Sequence, residues 1–250
     1  MTHPFRDSYI KLSRAKAHLA DLERIQTAWS DSTPGGQQIG PNESFLSTRS
    51  MPVPEEVGAV VGDVVHNLRA ALDLMAVALV RAKGGNTKNV YFPFADSAEN
   101  LPARIKDKNF HRAGNEAVKL LEEIAPYSGG NVALRELHNL DLQDKHHALI
   151  VHAITITTAT VQVHVDETTG KVSLVPVDGS RPSAALVFPE DSVFATEEIV
   201  PVLHKLVETT AGIIKAFEAL CEVDGVGVDA AGAQEKPALP AEPEAPTSKA

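Results

Sequence analysis

The stretch Gly62-Asp63-Val64-Val65-His66-Asn67-Leu68-Arg69-Ala70-Ala71-Leu72-Asp73 decides the fold, because it lies at the centre of a longer run that keeps one period throughout. Val57, Val60, Val61, Val64, Val65, Leu68, Leu72, Met75, Ala76 and Leu79 recur at three- and four-residue steps, which puts them on one broad side of a helix. The run is rich in β-branched valine, a modest helix former, so the spacing predicts a deeply buried central helix rather than a surface one. It starts behind Pro52 and Pro54, with Glu55 and Glu56 placing negative charge in its first turn, and Gly84-Gly85-Asn86 closes it.

Working outward, Phe5, Tyr9, Leu12, Ala15, Leu19, Leu22 and Ile25 give a second amphipathic helix over 4–29, ended by Thr33-Pro34-Gly35-Gly36. Residues 43–51 read as a short extended piece. In Tyr91-Phe92-Pro93-Phe94 the aromatics form a plug that packs a loop onto the core. Shorter helices are expected over 97–109 and 114–125. Asn131 caps a further one carrying Leu134 and Leu137, with Asp141 and Asp144 marking a second start or a kink. From Leu149 the period becomes two. Ile150, His152, Ile154, Ile156, Val161, Val163 and Val165 predict a long strand, and 172–177 and 183–188 predict two more, an antiparallel meander. A last helix covers 196–221. The remainder, 223–250, has Pro237, Pro240, Pro243 and Pro246 among Ala and Glu, the composition of a disordered tail. The fold class is therefore α+β: one domain over 1–222, a helical bundle packed with a small antiparallel sheet.

With 43% hydrophobic and 22% charged residues, the 250-residue chain belongs with globular proteins and not with disordered ones. No apolar run approaches the 18 or so residues that span a bilayer, and Met1-Thr2-His3-Pro4-Phe5-Arg6-Asp7 lacks the order of a signal peptide, so the expectation is a cytoplasmic protein with no membrane partner. One cysteine, Cys221, permits neither an internal disulfide nor a cysteine-held zinc. A formal charge of -10 opposes bulk binding to nucleic acid, although a local basic patch survives in Arg104-Ile105-Lys106-Asp107-Lys108-Asn109-Phe110-His111-Arg112.

Two polar clusters carry the candidate chemistry. On the central helix Asp63, His66, Asn67 and Asp73 share one stripe opposite the valine-leucine face, with Arg69 at its margin and four residues ahead of Asp73. A solvated helix face accounts for such a stripe, but the absence of Lys and Glu from it suits a networked or partly buried site. The second cluster is His138-Asn139-Leu140-Asp141-Leu142-Gln143-Asp144-Lys145-His146-His147. Imidazoles beside carboxylates serve as metal ligands or as a general base and its orienter, and Lys145 adds a phosphate partner. The spacing matches no metal motif, and side chains that cap a helix-to-strand junction also explain it.

At these residues the chain resembles a group of bacterial and phage-borne proteins that pair a helix reading Gly-Asp-x-x-His-Asn-Leu-Arg-x-Ala-Leu-Asp, here residues 62–73, with a later Asp-Lys-His, here Asp144, Lys145 and His146. That resemblance implies the domain and no activity. More remotely the helical half resembles the HEPN superfamily of nucleotide-binding helical domains, many of them metal-independent ribonucleases. The ribonuclease motif is an Arg, often followed by a polar residue, with a His after four to six intervening residues; Arg69 is followed at that distance by Leu74, Met75 and Ala76, while Arg104 and His111 keep the spacing but Ile105 follows the arginine, so no catalytic role carries over.

Three functions follow from these clusters. The first is a non-catalytic binding or interaction protein, toxin- or defence-associated, in which Asp63, His66, Asn67, Arg69, Asp73, His138, Asp144, Lys145 and His146 supply a polar network or small-ligand pocket without metal or cofactor. Its partner is a small ligand, RNA or a protein, and a homodimer stays open. The second is a HEPN-like ribonuclease or nucleotide-modifying enzyme with Arg69 on phosphate and His66 or His146 as base. The third is a metal-dependent hydrolase built on His66, His138, His146 and an aspartate.

Overall fold

A computed structural model describes residues 3–32, 52–146, 152–156, 161–166, 168–170, 172–176, 183–190, 192 and 194–223, with Lys145, His146 and most strand residues described as backbone alone. The extended piece expected over 43–51 and the tail expected over 223–250 lie, but for Val223, outside these residues.

Helix α1 (Arg6–Asp31) buries Leu12, Ala15, Leu19, Leu22 and Trp29 along one side. Helix α2 (Glu56–Ala82) is the centre of the body: Val57, Val61, Val64, Val65, Leu68, Ala71, Leu72, Met75, Ala76 and Val80 have no solvent exposure at all. The valines tolerate a helix here because burying each apolar side chain contributes about 1.5–3 kcal/mol, more than the few tenths its propensity costs. Past the end of α2, Gly84 takes the left-handed conformation (φ +69°), and the Gly85 amide turns back to the Val80 carbonyl at 2.9 Å, satisfying a carbonyl the helix leaves open. Then come α3 (Leu101–Asp107), a 3-10 turn (Phe110–Ala113), α4 (Asn115–Ile124) and α5 (Val132–His146). Asn131 does cap α5, its side-chain oxygen accepting from the Leu134 amide at 3.1 Å.

Helix α5 runs unbroken through Asp141 and Asp144, which corrects the expected kink; Asp141 is a buried residue inside the helix and not a second start. Helix α6 (Ile199–Val223) returns antiparallel to α1, since Tyr9 meets Glu218 and Glu23 meets His204. The expected aromatic plug forms: Phe92 and Phe94 are buried edge-to-face at 5.0 Å, Phe92 continues to Phe110 at 6.3 Å, and Phe110 to Phe217 of α6 at 5.9 Å.

The strands form pairs and not the expected three-stranded meander. β1 (His152–Ile156) pairs antiparallel with β4 (Ser183–Val187), and β2 (Val161–Val165) with β3 (Val172–Pro176), nested one inside the other. The chain thus goes out through β1 and β2 and comes back through β3 and β4. The outer pair reaches the bundle through β4, where Ala185, Leu186 and Val187 are buried and the strand lies against α1.

Candidate functional site

The two polar clusters meet where α5 crosses α2. Gly62 seats the Asp144 carboxylate: a Cβ placed there would stand 2.7 Å from Cγ and 2.9 Å from Oδ2 of Asp144, so the carboxylate occupies the space that any other residue's side chain would need. One turn further along α2, His66 turns Nδ1 to Oδ1 of Asp141 at 3.3 Å. The imidazole is 53% exposed and the carboxylate only 3%, so a wet ring is backed by a dry acid. In the tautomer whose Nδ1 donates to that carboxylate, Nε2 is the ring nitrogen left to accept.

Helix α1 closes the seam from the other side. Asn67 is buried, not on the wet stripe where its spacing put it. Its amide donates to the Asp63 carbonyl at 2.7 Å and its oxygen accepts from Lys11 Nζ at 3.3 Å. His18, two turns after Lys11, brings Nδ1 to 3.9 Å from the exposed Asp63 carboxylate. The spacing of the first helix puts Lys11 on its solvated face and gives His18 no role; their seven-residue separation on an amphipathic helix is the available signal. Asp141 was seen as a helix start, and its burial had no signal in sequence.

The other predicted residues are committed elsewhere. Arg69 donates from Nη1 to Asp73 Oδ1 at 2.5 Å and from Nη2 to the Phe92 carbonyl at 3.4 Å, and its guanidinium carbon lies 4.4 Å from the Phe94 ring centre. Asp73 also accepts the Phe92 amide at 2.8 Å. With an 11% exposed side chain, Arg69 is therefore a brace between α2 and the plug, its charge already neutralised. His138 stacks on Phe94 at 4.7 Å with the rings 10° from parallel, so it shares that ring with the Arg69 guanidinium. Lys145 and His146 form the last turn of α5, and their side chains lie outside the described residues. Among the described residues no three His, Cys, Asp or Glu side chains converge as metal ligands.

Two concavities lie away from the seam. One of about 370 Å³ sits between α1 and α6 beside Lys16, Glu23 and His204, and another of about 550 Å³ lies near His3, Tyr9 and Glu218. No helix among the described residues is long and apolar enough to cross a membrane. The seam combines the half-exposed His66 ring with the buried Asp141 carboxylate and the exposed Asp63 carboxylate. Comparison with protein-family models, with curated proteins and with solved structures finds no match in any of the three, so the chemistry of this seam is read from its own atoms alone.

Proposed function

We propose that the chain is a binding protein whose ligand site is the seam of α1, α2 and α5, with His66 as the group that meets the ligand. The observation that carries this is the half-exposed imidazole backed by the buried Asp141 carboxylate. Such a pair fixes the ring and presents Nε2 as an acceptor, and the exposed Asp63 carboxylate adds a second acceptor one turn away. The complementary ligand is small and carries hydroxyl or amine donors. The half-exposed ring favours binding over enclosed chemistry, because a catalytic site works by excluding water. The protein acts in the cytoplasm.

Ring NMR of the histidines tests this with spermidine, arginine and glucose as donor-bearing probes and inorganic phosphate as the contrary one. At least one donor-bearing probe is expected to shift the His66 ring signals in wild-type protein, and Asp141→Asn to weaken that response about tenfold, while His204→Ala leaves it intact. No shift with any probe, or a thermal stabilisation by the probe that persists in His66→Ala, defeats the proposal.

The same Nδ1 contact favours a second function, a metal-independent ribonuclease with His66 Nε2 as base. Arg69 weighs against it, since the cation that would meet phosphate is held on Asp73. Cleavage of a labelled RNA in EDTA by wild-type protein, abolished in His66→Ala, would establish the enzyme and displace the binding role.

A further inference from the structure

Basic charge in this acidic chain is concentrated at the far end of α2. Across 81–91 and 104–112 stand seven of the 23 Lys and Arg residues and, of the 33 Asp and Glu residues, Asp107 alone. The fold brings the two segments together. The Tyr91 amide donates to the Lys108 carbonyl at 3.1 Å, Asn109 Nδ2 to the Asn89 carbonyl at 3.0 Å, and Arg112 Nη1 to the carbonyls of Asn86 and Lys88 at 2.9 and 3.2 Å. Asn89 and Asn109 both adopt left-handed backbone (φ +57° and +55°), the conformation asparagine tolerates better than most residues, and so hold the two loops in register.

Cations at the ends of α2 and α3 answer the negative ends of those helices, which accounts for Arg81, Lys83, Arg104 and Lys106. It does not account for Lys88, Lys108 and Arg112, which belong to the loop and the turn. The acceptors Arg112 uses are neutral carbonyls, so its charge stays uncancelled by them. Tyr91 is the other unexplained feature. It is the one aromatic of the plug that faces outward, 45% exposed where Phe92 and Phe94 are buried, and Lys108 Nζ sits 5.6 Å from its ring centre. A lone exposed ring set among cations offers a base a stacking surface and a phosphate chain its counter-charges. A lipid surface would call for apolar side chains to insert, and the exposed large hydrophobics Ile10, Val132, Leu142 and Val165 are not in these segments.

We propose that the face formed by 83–91 and 104–112 binds single-stranded nucleic acid, with Lys88, Lys108 and Arg112 on successive phosphates and a base stacked on Tyr91. The net charge of -10 does not forbid it: acids more than a Debye length away, about 8 Å at physiological salt, are screened from a short strand lying on this face. The face is about 25 Å along α2 from His66, at 1.5 Å per residue, so it is independent of the seam and of any ligand there.

Fluorescence anisotropy of the full chain with labelled 12-mers of oligouridylate and oligothymidylate tests the proposal. Binding at 50 mM salt is expected for at least one of them, weakening roughly 20- to 50-fold by 200 mM salt for three to four phosphate contacts. Tyr91→Ala is expected to weaken it about fivefold or more, and Lys88→Glu/Lys108→Glu more than tenfold. Lys205→Glu/Lys215→Glu on α6, the same change in charge elsewhere, leaves the affinity within about twofold. A ribose-specific face binds oligouridylate alone, and a backbone reader binds both; either supports the proposal. No binding to either strand at 50 mM salt overturns it. So does binding that the α6 pair weakens as much as the Lys88/Lys108 pair, or that free duplex competes away while Tyr91→Ala has no effect. Should the double variant lose its helical circular dichroism, photocrosslinking of a 4-thiouridine strand to wild-type protein decides: adducts within 83–91 or 104–112 support the face, and adducts only elsewhere refute it.

Discussion

Gly62 is under two opposing demands. As a glycine within a helix it costs about 1 kcal/mol relative to alanine. As the seat of the Asp144 carboxylate it leaves the space that a Cβ would take from that group. The two effects separate in a double-mutant cycle. Gly62→Ala alone is expected to destabilise by about 1 kcal/mol, the overlap of about 1–3 kcal/mol outweighing the helical gain. In an Asp144→Ala background the same change is expected to stabilise by about 1 kcal/mol. Urea denaturation midpoints measure both, and an equal effect in the two backgrounds would show that Asp144 does not need the gap. At this scale the sequence was informative about residue type and poor about surroundings. Gly62, His66 and Asp144 were all singled out, yet nothing in the spacing showed that Asn67 is covered by Lys11 or that Arg69 is held between Asp73 and Phe94. A helical stripe defines which residues share a face and leaves open what lies across from them.

The pairing of elements shows the same division. The helices α1, α2 and α6 follow from a 3.6-residue period because each buries one side only, and the structure keeps all three. The strands follow from period two, but period does not name partners, and the nested pairing of β1 with β4 and β2 with β3 had no signature in the spacing. One contact between elements has a titratable consequence. The Tyr9 hydroxyl of α1 donates to Glu218 Oε2 of α6 at 2.5 Å, while His3 Nε2 meets the other oxygen. Burial first, then that hydrogen bond and the charge of Glu218, push the phenol up from 10.0 to about 12. The folded chain therefore holds this proton more tightly than the unfolded one. The stability it contributes is fully present below pH 10 and is lost as the pH rises from 10 towards 12. Urea midpoints are expected to fall across that window in wild-type protein and to fall less steeply in Tyr9→Phe; parallel slopes would remove Tyr9 from the tie between the first and last helices.

Across the whole molecule, α2 is the element around which the rest is arranged, with α1, α5, α6 and the 3-10 turn all packed on it. Global opening must therefore release α2, whereas β2 and β3 pair with each other as a two-stranded ladder. In native-state hydrogen exchange the amides of 65–79 are expected to be the slowest in the protein and those of β2 and β3 to exchange orders of magnitude sooner. Exchange of α2 ahead of α1 and α6 would mean that the outer helices, and not the central one, hold the last folded core. The antiparallel course of α1 and α6 has a mechanical consequence. Because His3 lies against Glu218, a force applied at those two points pulls on one end of the helix pair and opens it contact by contact, from Tyr9–Glu218 towards Glu23–His204, rather than sliding whole helices past one another. The body is built to unzip under tension at its ends, and a pull strong enough to be resisted would have to enter through some other pair of residues.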